Sequence, residues 1–296
     1  MKRKGCVAHW SIPCLLAVSA AAGTARAHEV GVFGVGLLVP RVIHNGVGDT
    51  TAAGVTWLCP SDGDGGTVHW GFVDPDGLRL AGGEFTMAQG GRHAFVWASE
   101  GAGLAGQEGY LWMIADSNDD GLLDGSDEAC IAGEAFHVNV TGQDVAYVQT
   151  WPFGAEDVLQ EAENVAFDDI DQGPRSLRAG AQTGERVQTV FSVGGGDVTE
   201  VVLWSSGDLQ GTHSVRIADG QGNEIVATMH FGHSHLNVID VGTLPVLPAA
   251  FTNGYMLWEV PATGDAAPPM GVAGFSLLQS PVFGAVQSVT AAHHHP

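Results

Sequence analysis

Apolar and polar residues alternate along much of the chain, and this pattern predicts short β-strands. Val68, Trp70 and Phe72 alternate with smaller or more polar residues in GTVHWGFV (66–73), as is typical of a half-buried strand. The turn sequence DPDG follows directly, and ADGQG follows the similar segment GTHSVRI (211–217). Such turns close hairpins. Turn signals at intervals of about 8 to 12 residues favour an all-β fold of Greek-key sandwiches, immunoglobulin-like in architecture.

The chain also matches itself at an offset of 145 residues. GTVHWGFVDPDG (66–77) aligns with GTHSVRIADGQG (211–222), so that Thr67, Asp74 and Gly77 meet identical residues. The same offset pairs Arg41 with Arg186, and Gly109-Tyr110 with Gly254-Tyr255. A fixed offset without gaps indicates an internal duplication. We therefore predict two tandem β-sandwich units, at 28–150 and 176–292.

The two predicted units are separated by the acidic segment 151–175. Within it, AEDVLQEAENV places Val158, Leu159, Ala162 and Val165 on one helical face, which predicts a short helix in a solvated linker. A second calcium site at this junction is an alternative use of its acids. Residues 293–296 form a histidine-rich tail.

The first 27 residues are typical of a secretory signal peptide. Lys2, Arg3 and Lys4 precede an apolar stretch, and Ala25-Arg26-Ala27 fits a small-x-small cleavage site. The mature chain would then begin at His28 and be extracellular, cell-surface or periplasmic. No later stretch reaches the roughly 18 apolar residues of a membrane-spanning helix.

The composition after residue 27 is strongly acidic, and it excludes some classes of partner and of chemistry. Only seven arginines and no lysine remain of the 11 basic residues, against all 33 acids, for a formal net charge of −26. Nucleic acid is excluded as a partner because its phosphates would be repelled. The absence of lysine also excludes Schiff-base chemistry and phosphate-loop lysines.

Two cysteines remain after the signal peptide, Cys59 and Cys130. In an exported protein an even pair predicts one disulfide, with two buried free thiols as the alternative. The offset of 145 aligns these cysteines with Trp204 and Phe275. We therefore expect a contact between two sheets that is bridged in the first unit and packed with aromatic rings in the second.

The most distinctive segment is DSNDDGLLDGSDE (116–128), which holds six acids in thirteen positions. It resembles the calcium loop of EF-hand and dockerin-type proteins, with glycine in sixth position and leucine in eighth. The resemblance implies calcium ligands from Asp116, Asn118, Asp120, the Leu122 carbonyl, Asp124 and Asp127. The twelfth position is Asp127 rather than glutamate, and a strand-like segment precedes the loop. A structural calcium is therefore expected rather than a sensor, and a solvated acidic turn without metal is the alternative.

Histidines suggest a transition-metal alternative. A mature amino-terminal His28 could clamp copper together with another histidine, as in the histidine brace of copper monooxygenases. HFGHSH (230–235) brings His230, His233 and His235 close together in sequence, and imidazoles so spaced can bind zinc or copper. Exposed strand histidines without metal are the plain alternative.

These features favour a non-enzymatic, secreted protein with a binding, adhesion or surface-assembly role. The motifs HExxH and GxSxG are absent from the sequence. The expected cofactor is calcium, and the expected partner is a protein or glycan at the cell surface, or a second copy. An exported copper- or zinc-binding protein is one alternative. The other is a carbohydrate-binding module that would use Trp57, Trp70, Trp97 and Trp112 as a stacking platform.

Overall fold

The computed structural model describes residues 32–46, 48–60, 65–140, 142–159, 164–262, 270–282 and 284–294. The predicted signal peptide (1–27) and His28 lie outside the described residues. Antiparallel strands dominate the described ranges, which confirms the all-β prediction. The helices there are single turns, at Trp97–Glu100, Ala102–Leu104, Ala155–Asp157, Phe167–Asp169 and Val241–Thr243.

The first half of the chain forms two facing sheets. Its strands are β1 (Gly36–Ile43), β2 (Asp49–Trp57), β3 (Gly65–Val73), β4 (Arg79–Ala88), β5 (Arg92–Val96), β6 (Glu108–Asp116), β7 (Leu122–Leu123), β8 (Ile131–Asn139), β9 (Asp144–Val148) and β10 (Trp151–Phe153). Sheet A has the order β5-β2-β8-β9, and sheet B has the order β10-β1-β6-β3-β4.

The second half forms two further sheets. The strands are β11 (Val165–Ala166), β12 (Ala181–Gln182), β13 (Arg186–Ser192), β14 (Val198–Ser205), β15 (Gly211–Asp219), β16 (Glu224–Phe231), β17 (Leu236–Asp240), β18 (Asn253–Glu259), β19 (Gly271–Ser280), β20 (Ala285–Thr290) and β21 (Ala292–His294). Sheet C has the order β12-β19-β14-β17, with β20 also pairing with β19, and sheet D has the order β16-β15-β18-β13-β21. The short strand β11 pairs with β7 of the first half.

The two halves share one strand order, since sheet D read from β21 repeats sheet B read from β10. The residues that match at an offset of 145 occupy the same points of this order. Oδ1 of Asp74 accepts hydrogen bonds from the second and fourth following N–H groups at 3.0 and 2.8 Å, and Oδ1 of Asp219 does the same at 2.9 and 2.8 Å. Gly77 and Gly222 have φ of 94° and 87°, a left-handed conformation that favours glycine.

A second matched pair of glycines lies where neighbouring strands approach closely. A Cβ on Gly109 would lie 2.1 Å from the carbonyl oxygen of Val73, and one on Gly254 would lie 1.9 Å from that of Ala218. Either contact is too short for any residue larger than glycine. The equal strand order and these glycines support the duplication, which stays a hypothesis about how the chain arose.

The two halves are joined by a common apolar core. On β14, Val202 and Trp204 belong to the core that the first half forms, whereas Val201 and Leu203 belong to a second core within the other half. Sheet C is therefore covered on both faces. Trp204 also makes an edge-on contact with Tyr110, at 5.7 Å between ring centroids.

The segment 151–175 differs from the predicted solvated linker. Its first residues form β10 and pair with β1, and Phe167 and Ile170 are buried. Arg79 donates hydrogen bonds to the carbonyl oxygens of both residues and of Asp168. Of the expected helix, the residues that the structure describes form the turn Ala155–Asp157, and residues 160–163 lie outside them. Its buried apolar side chains therefore hold the segment against the protein, although its many acids predicted a solvated linker.

The predicted disulfide between Cys59 and Cys130 is confirmed, but the expectation that it bridges two sheets is wrong. Its cysteines extend β2 and β8, which are neighbours in sheet A. Trp204 and Phe275 likewise lie on the neighbouring strands β14 and β19. An alignment offset does not reveal whether two strands share a sheet.

The histidine-rich tail is part of the fold as far as His294, because β21 pairs with β13. Of the helices in the ranges described above, none has the length and hydropathy needed to span a membrane.

Candidate metal centre

The acidic loop 116–128 is anchored in the fold at both ends. Asp116 is the last residue of β6, a strand inside sheet B, and only 2% of its surface is exposed. Leu123 is fully buried and pairs with Val165 through the small β7–β11 sheet. Cys130, just past the loop, is held by the disulfide. The loop is therefore fixed by a strand, an apolar anchor and a covalent bond.

The first half of the loop coils around the carboxylate of Asp116. Its two oxygens accept hydrogen bonds from the N–H groups of Asp120 and Gly121, at 3.2 and 2.9 Å. Gly121 has φ of 80°, which explains glycine at this position. The Leu122 N–H donates to Oδ1 of Asp120 at 2.9 Å. These hydrogen bonds place the side chains of Asp116 and Asp120 on the same turn of the loop.

The second half closes back on the first through Asp127. Its Oδ1 accepts from both the N–H and the hydroxyl of Ser117, at 3.0 and 3.2 Å, and its Oδ2 accepts from the Asp124 N–H at 3.0 Å. Burial raises the pKa of Asp127 and Asp116 adds to this, although the hydrogen bonds act in the opposite direction. Two buried carboxylates thus stand at the ends of one closed loop.

Of the remaining predicted ligands, Asn118 and Asp120 are exposed, whereas Leu122 and Asp124 are half-buried. Asn118 bridges Oδ2 of Asp120 and the hydroxyl of Ser126, at 3.3 and 3.0 Å. Asp124 accepts from Ser126, which lowers the pKa of Asp124. The fold therefore gathers all the predicted side chains into one loop.

The loop does not bring three carboxylates into mutual contact. Among the described residues, one group of His, Cys, Asp or Glu has three ligand atoms within 4.8 Å of one another, and it consists of Cys59, Glu128 and Cys130. Its sulfurs form the disulfide, so this group is not a thiolate metal site. Calcium in the acidic loop would depend on amide and carbonyl oxygens as well as carboxylates.

His69 is a neighbour of the loop that sequence reasoning missed. Its Nε2 lies 3.8 Å from Oδ2 of Asp116, its Nδ1 lies 3.5 Å from Glu84, and its ring stacks on Phe167 at 4.0 Å. It reaches the loop because β3 pairs with β6, a pairing that no local pattern encodes. A groove of about 640 Å³ opens beside His69. Arg79, Glu84, Phe167 and Asp168 also line it.

The histidines of 230–235 do not converge. His230 is exposed on β16, whereas His233 lies 3.0 Å from Oδ1 of Asp76. His235 is buried, with its Nδ1 3.0 Å from the carbonyl oxygen of Ser205. These three do not form a common group of ligand atoms within the described residues. The other predicted copper ligand, His28, lies outside them.

The predicted tryptophan platform for carbohydrate is wrong. Trp57, Trp97 and Trp112 are fully buried, and Trp70 is 7% exposed. Trp70 packs edge-on against Phe95 and Trp97 inside the first sandwich. All four rings belong to the core of the first half, so none of them can stack on a sugar.

Comparisons with known proteins do not assign the chain to a family. No protein-family model matches, and no curated protein matches. Among solved structures, a Pleurotus ostreatus lectin in complex with GalNAc has 8% identity and a TM-score of 0.19, with 89% of this chain and 86% of that chain covered. A viral chemokine-binding protein of rodent gammaherpesvirus Peru has 8% identity and a TM-score of 0.18, with 90% and 88% covered.

A mutant of Bacillus subtilis oxalate decarboxylase has 8% identity and a TM-score of 0.19, with 81% of this chain and 65% of that chain covered. Scores this low do not establish a shared fold, and they say nothing about the function of this chain.

Proposed function

We propose that this chain is a secreted β-sandwich protein that calcium stabilises at loop 116–128, and that its role is non-enzymatic binding, adhesion or surface assembly. The observation that carries the calcium assignment is the closed loop with a buried carboxylate at each end, Asp116 and Asp127. The binding role rests on more general features of the molecule.

Electrostatics supports a divalent cation in this loop. Six acids lie within thirteen residues, and ionised carboxylates this close repel one another. Burial makes ionised Asp127 still less favourable. A calcium ion reverses the sign of these interactions, and it prefers the hard oxygens that carboxylates, amides and carbonyls supply.

The surroundings of the loop support a structural ion rather than a signalling ion. The loop leaves strand β6, is tied to the segment 151–175 through β7 and β11, and ends at the disulfide. A sensor loop needs two helices that can reorient, whereas strands flank this one. Calcium would therefore stiffen the first half of the molecule without switching its shape.

Two features support secretion and a binding role. A disulfide persists in oxidising compartments such as the periplasm or the cell exterior, and the disulfide here closes a separation of 71 residues. Strands at the sheet edges offer contact surfaces for a protein or glycan partner, or for a second copy. The strong negative charge keeps the chain away from nucleic acid and anionic membranes.

Thermal unfolding of the mature protein in calcium and in EDTA tests the calcium assignment. At 100 times the dissociation constant, calcium should stabilise the fold by about 2.7 kcal/mol, which raises Tm by roughly 5–10 °C. Asp120→Ala removes the side-chain ligand altogether and should abolish most of this rise.

Asp119→Asn is the matched control for the thermal experiment. Asp119 is also in the loop, but its side chain accepts from the Thr67 hydroxyl at 3.0 Å and is not a predicted ligand. This variant loses the same charge and should keep the response to calcium. Equal melting temperatures of the wild type in calcium and EDTA would refute the calcium assignment.

A further inference from the structure

Strand β16 is a long, regular sheet edge. It has eight residues and pairs with β15 without a register shift, from Gly211 opposite Phe231 to Ala218 opposite Glu224. On its other side no strand pairs with it in the ranges that the structure covers. Half of its backbone N–H and C=O groups therefore face outward, ready to pair with another strand.

Long edge strands in proteins are usually protected against pairing with another chain, whereas β16 is not. Natural edge strands carry lysine, proline, bulges or a covering segment. The corresponding edge in the first half, β4, has a register shift opposite Phe72–Val73, two central glycines, and the segment around Phe167 bound at its Arg79 end. In contrast, β16 (EIVATMHF) has no lysine, proline or glycine, and its Val226 is 68% exposed.

The sequence of β16 is complementary to itself in one register. When two copies of one strand pair antiparallel, the twofold axis that relates them must pass through a residue and not between two residues. The reason is that opposed residues must have the same hydrogen-bonding orientation. Centring the pair on Ala227 overlaps residues 224–230, and it places Glu224 opposite His230 and Val226 opposite Thr228. Centring it on Thr228 gives an overlap of equal length, at 225–231, but leaves Glu224 outside the pair. The register centred on Ala227 therefore places Glu224 opposite His230 at two points of the pair.

We propose that β16 pairs with β16 of a second copy of this chain, antiparallel and centred on Ala227, so that two copies of sheet D become one continuous sheet. This inference names a partner for the proposed binding role and rests on that role, but it does not depend on the calcium loop. Glu224 is held beside β15 by Arg216, at 3.3 Å, which places its carboxylate on the exposed face that the pair would share.

The dimer should be weak. One pair of strands buries less surface than a standard interface of about 1,600 Å², and the net charge of each mature chain opposes association. We therefore expect a dissociation constant of about 100 µM, so that the dimer forms between about 10 and 500 µM.

Sedimentation velocity of the mature protein over that range, at physiological salt, tests the proposal. The wild type should shift from monomer to dimer as concentration rises. His230→Glu places like charges opposite each other at two points, each costing about 0.5 kcal/mol, and should weaken dimerisation about fivefold. His230→Lys should strengthen it by a similar factor. His230 is exposed, so both variants should fold, which a thermal melt verifies.

Thr212→Glu is the matched control, because Thr212 lies directly opposite His230 on the inner neighbour β15 and is also exposed. It adds one negative charge on the same face without touching the edge, and it should leave dimerisation within about twofold of the wild type. The proposal is wrong if the wild type stays monomeric at about 500 µM, the upper end of the range given above. It is also wrong if His230→Glu and Thr212→Glu weaken dimerisation equally.

The same experiments in calcium and in EDTA separate the two proposals. Dimerisation in both solutions, without any thermal response to calcium, would refute the calcium assignment and leave the edge pairing intact. A thermal response without dimerisation would refute the edge pairing alone.

Discussion

Replacing Arg41 by methionine should destabilise the protein much more than the same change at Arg186. The two arginines match at the offset of 145 and lie on corresponding strands, β1 and β13. Arg41 forms ion pairs with Glu108 at 2.6 Å and with Glu200 at 2.7 Å, and its side chain is 11% exposed. Because Glu108 belongs to the first half and Glu200 to the second, this arginine joins the two halves.

The magnitude follows from the burial of the three groups. Breaking a fully buried ion pair costs about 3–5 kcal/mol because a charge is left without a partner. The carboxylates here are 37% and 25% exposed, so water compensates in part, and we expect a loss of about 2–3 kcal/mol. Arg186 is 47% exposed and lies 3.9 Å from Glu259, which is 65% exposed. Its loss should cost about 0–1 kcal/mol, as at other surface pairs.

Equilibrium unfolding in urea, followed by tryptophan fluorescence, measures both variants against the wild type. The two substitutions remove the same charge, so the difference between them isolates the buried network. Arg41→Met should lower the midpoint clearly, whereas Arg186→Met should lie close to the wild type. Equal losses in the two variants would refute the claim that the halves are joined through a buried charge network.

Two other predictions concern the same half of the molecule. Burial, together with the charge of Arg41, lowers the pKa of His137 below its ordinary value of 6.5, so the unfolded chain binds more protons than the folded one, and stability should fall as pH decreases below 6.5. His137→Gln should flatten this dependence, and an unchanged slope of the unfolding free energy between pH 5 and 7.5 would contradict it. Reduction of the Cys59–Cys130 disulfide, whose cysteines have a sequence separation of 71, should cost about 4 kcal/mol, measured as the difference in unfolding free energy with and without a reductant; a loss below about 1 kcal/mol would contradict this.

The strands and their turns were predictable because their signals are local. The alternation of Val68, Trp70 and Phe72 identifies β3 and its buried face. Asp74 and Gly77 identify the turn that follows, since one supplies an acceptor and the other a left-handed backbone. The cysteine count predicted the disulfide.

Features that depend on the pairing of distant strands were not predictable. The disulfide joins neighbours in one sheet rather than two sheets, because β2 and β8 become partners only in the fold. The acids of 151–175 indicated a solvated linker, yet Phe167 and Ile170 are buried, and Phe167 stacks on His69 of sheet B. The approach of His69 to Asp116 likewise depends on the β3–β6 pairing. The tryptophans were ambiguous because period two does not distinguish a core face from an exposed platform.

Isothermal titration calorimetry with calcium on the mature protein shows directly whether loop 116–128 binds the ion. We expect one calcium ion per chain for the wild type and for Asp119→Asn, and no binding heat for Asp120→Ala. The absence of binding by the wild type at millimolar calcium, or equal binding by both variants, would contradict the assignment of loop 116–128 as the calcium site.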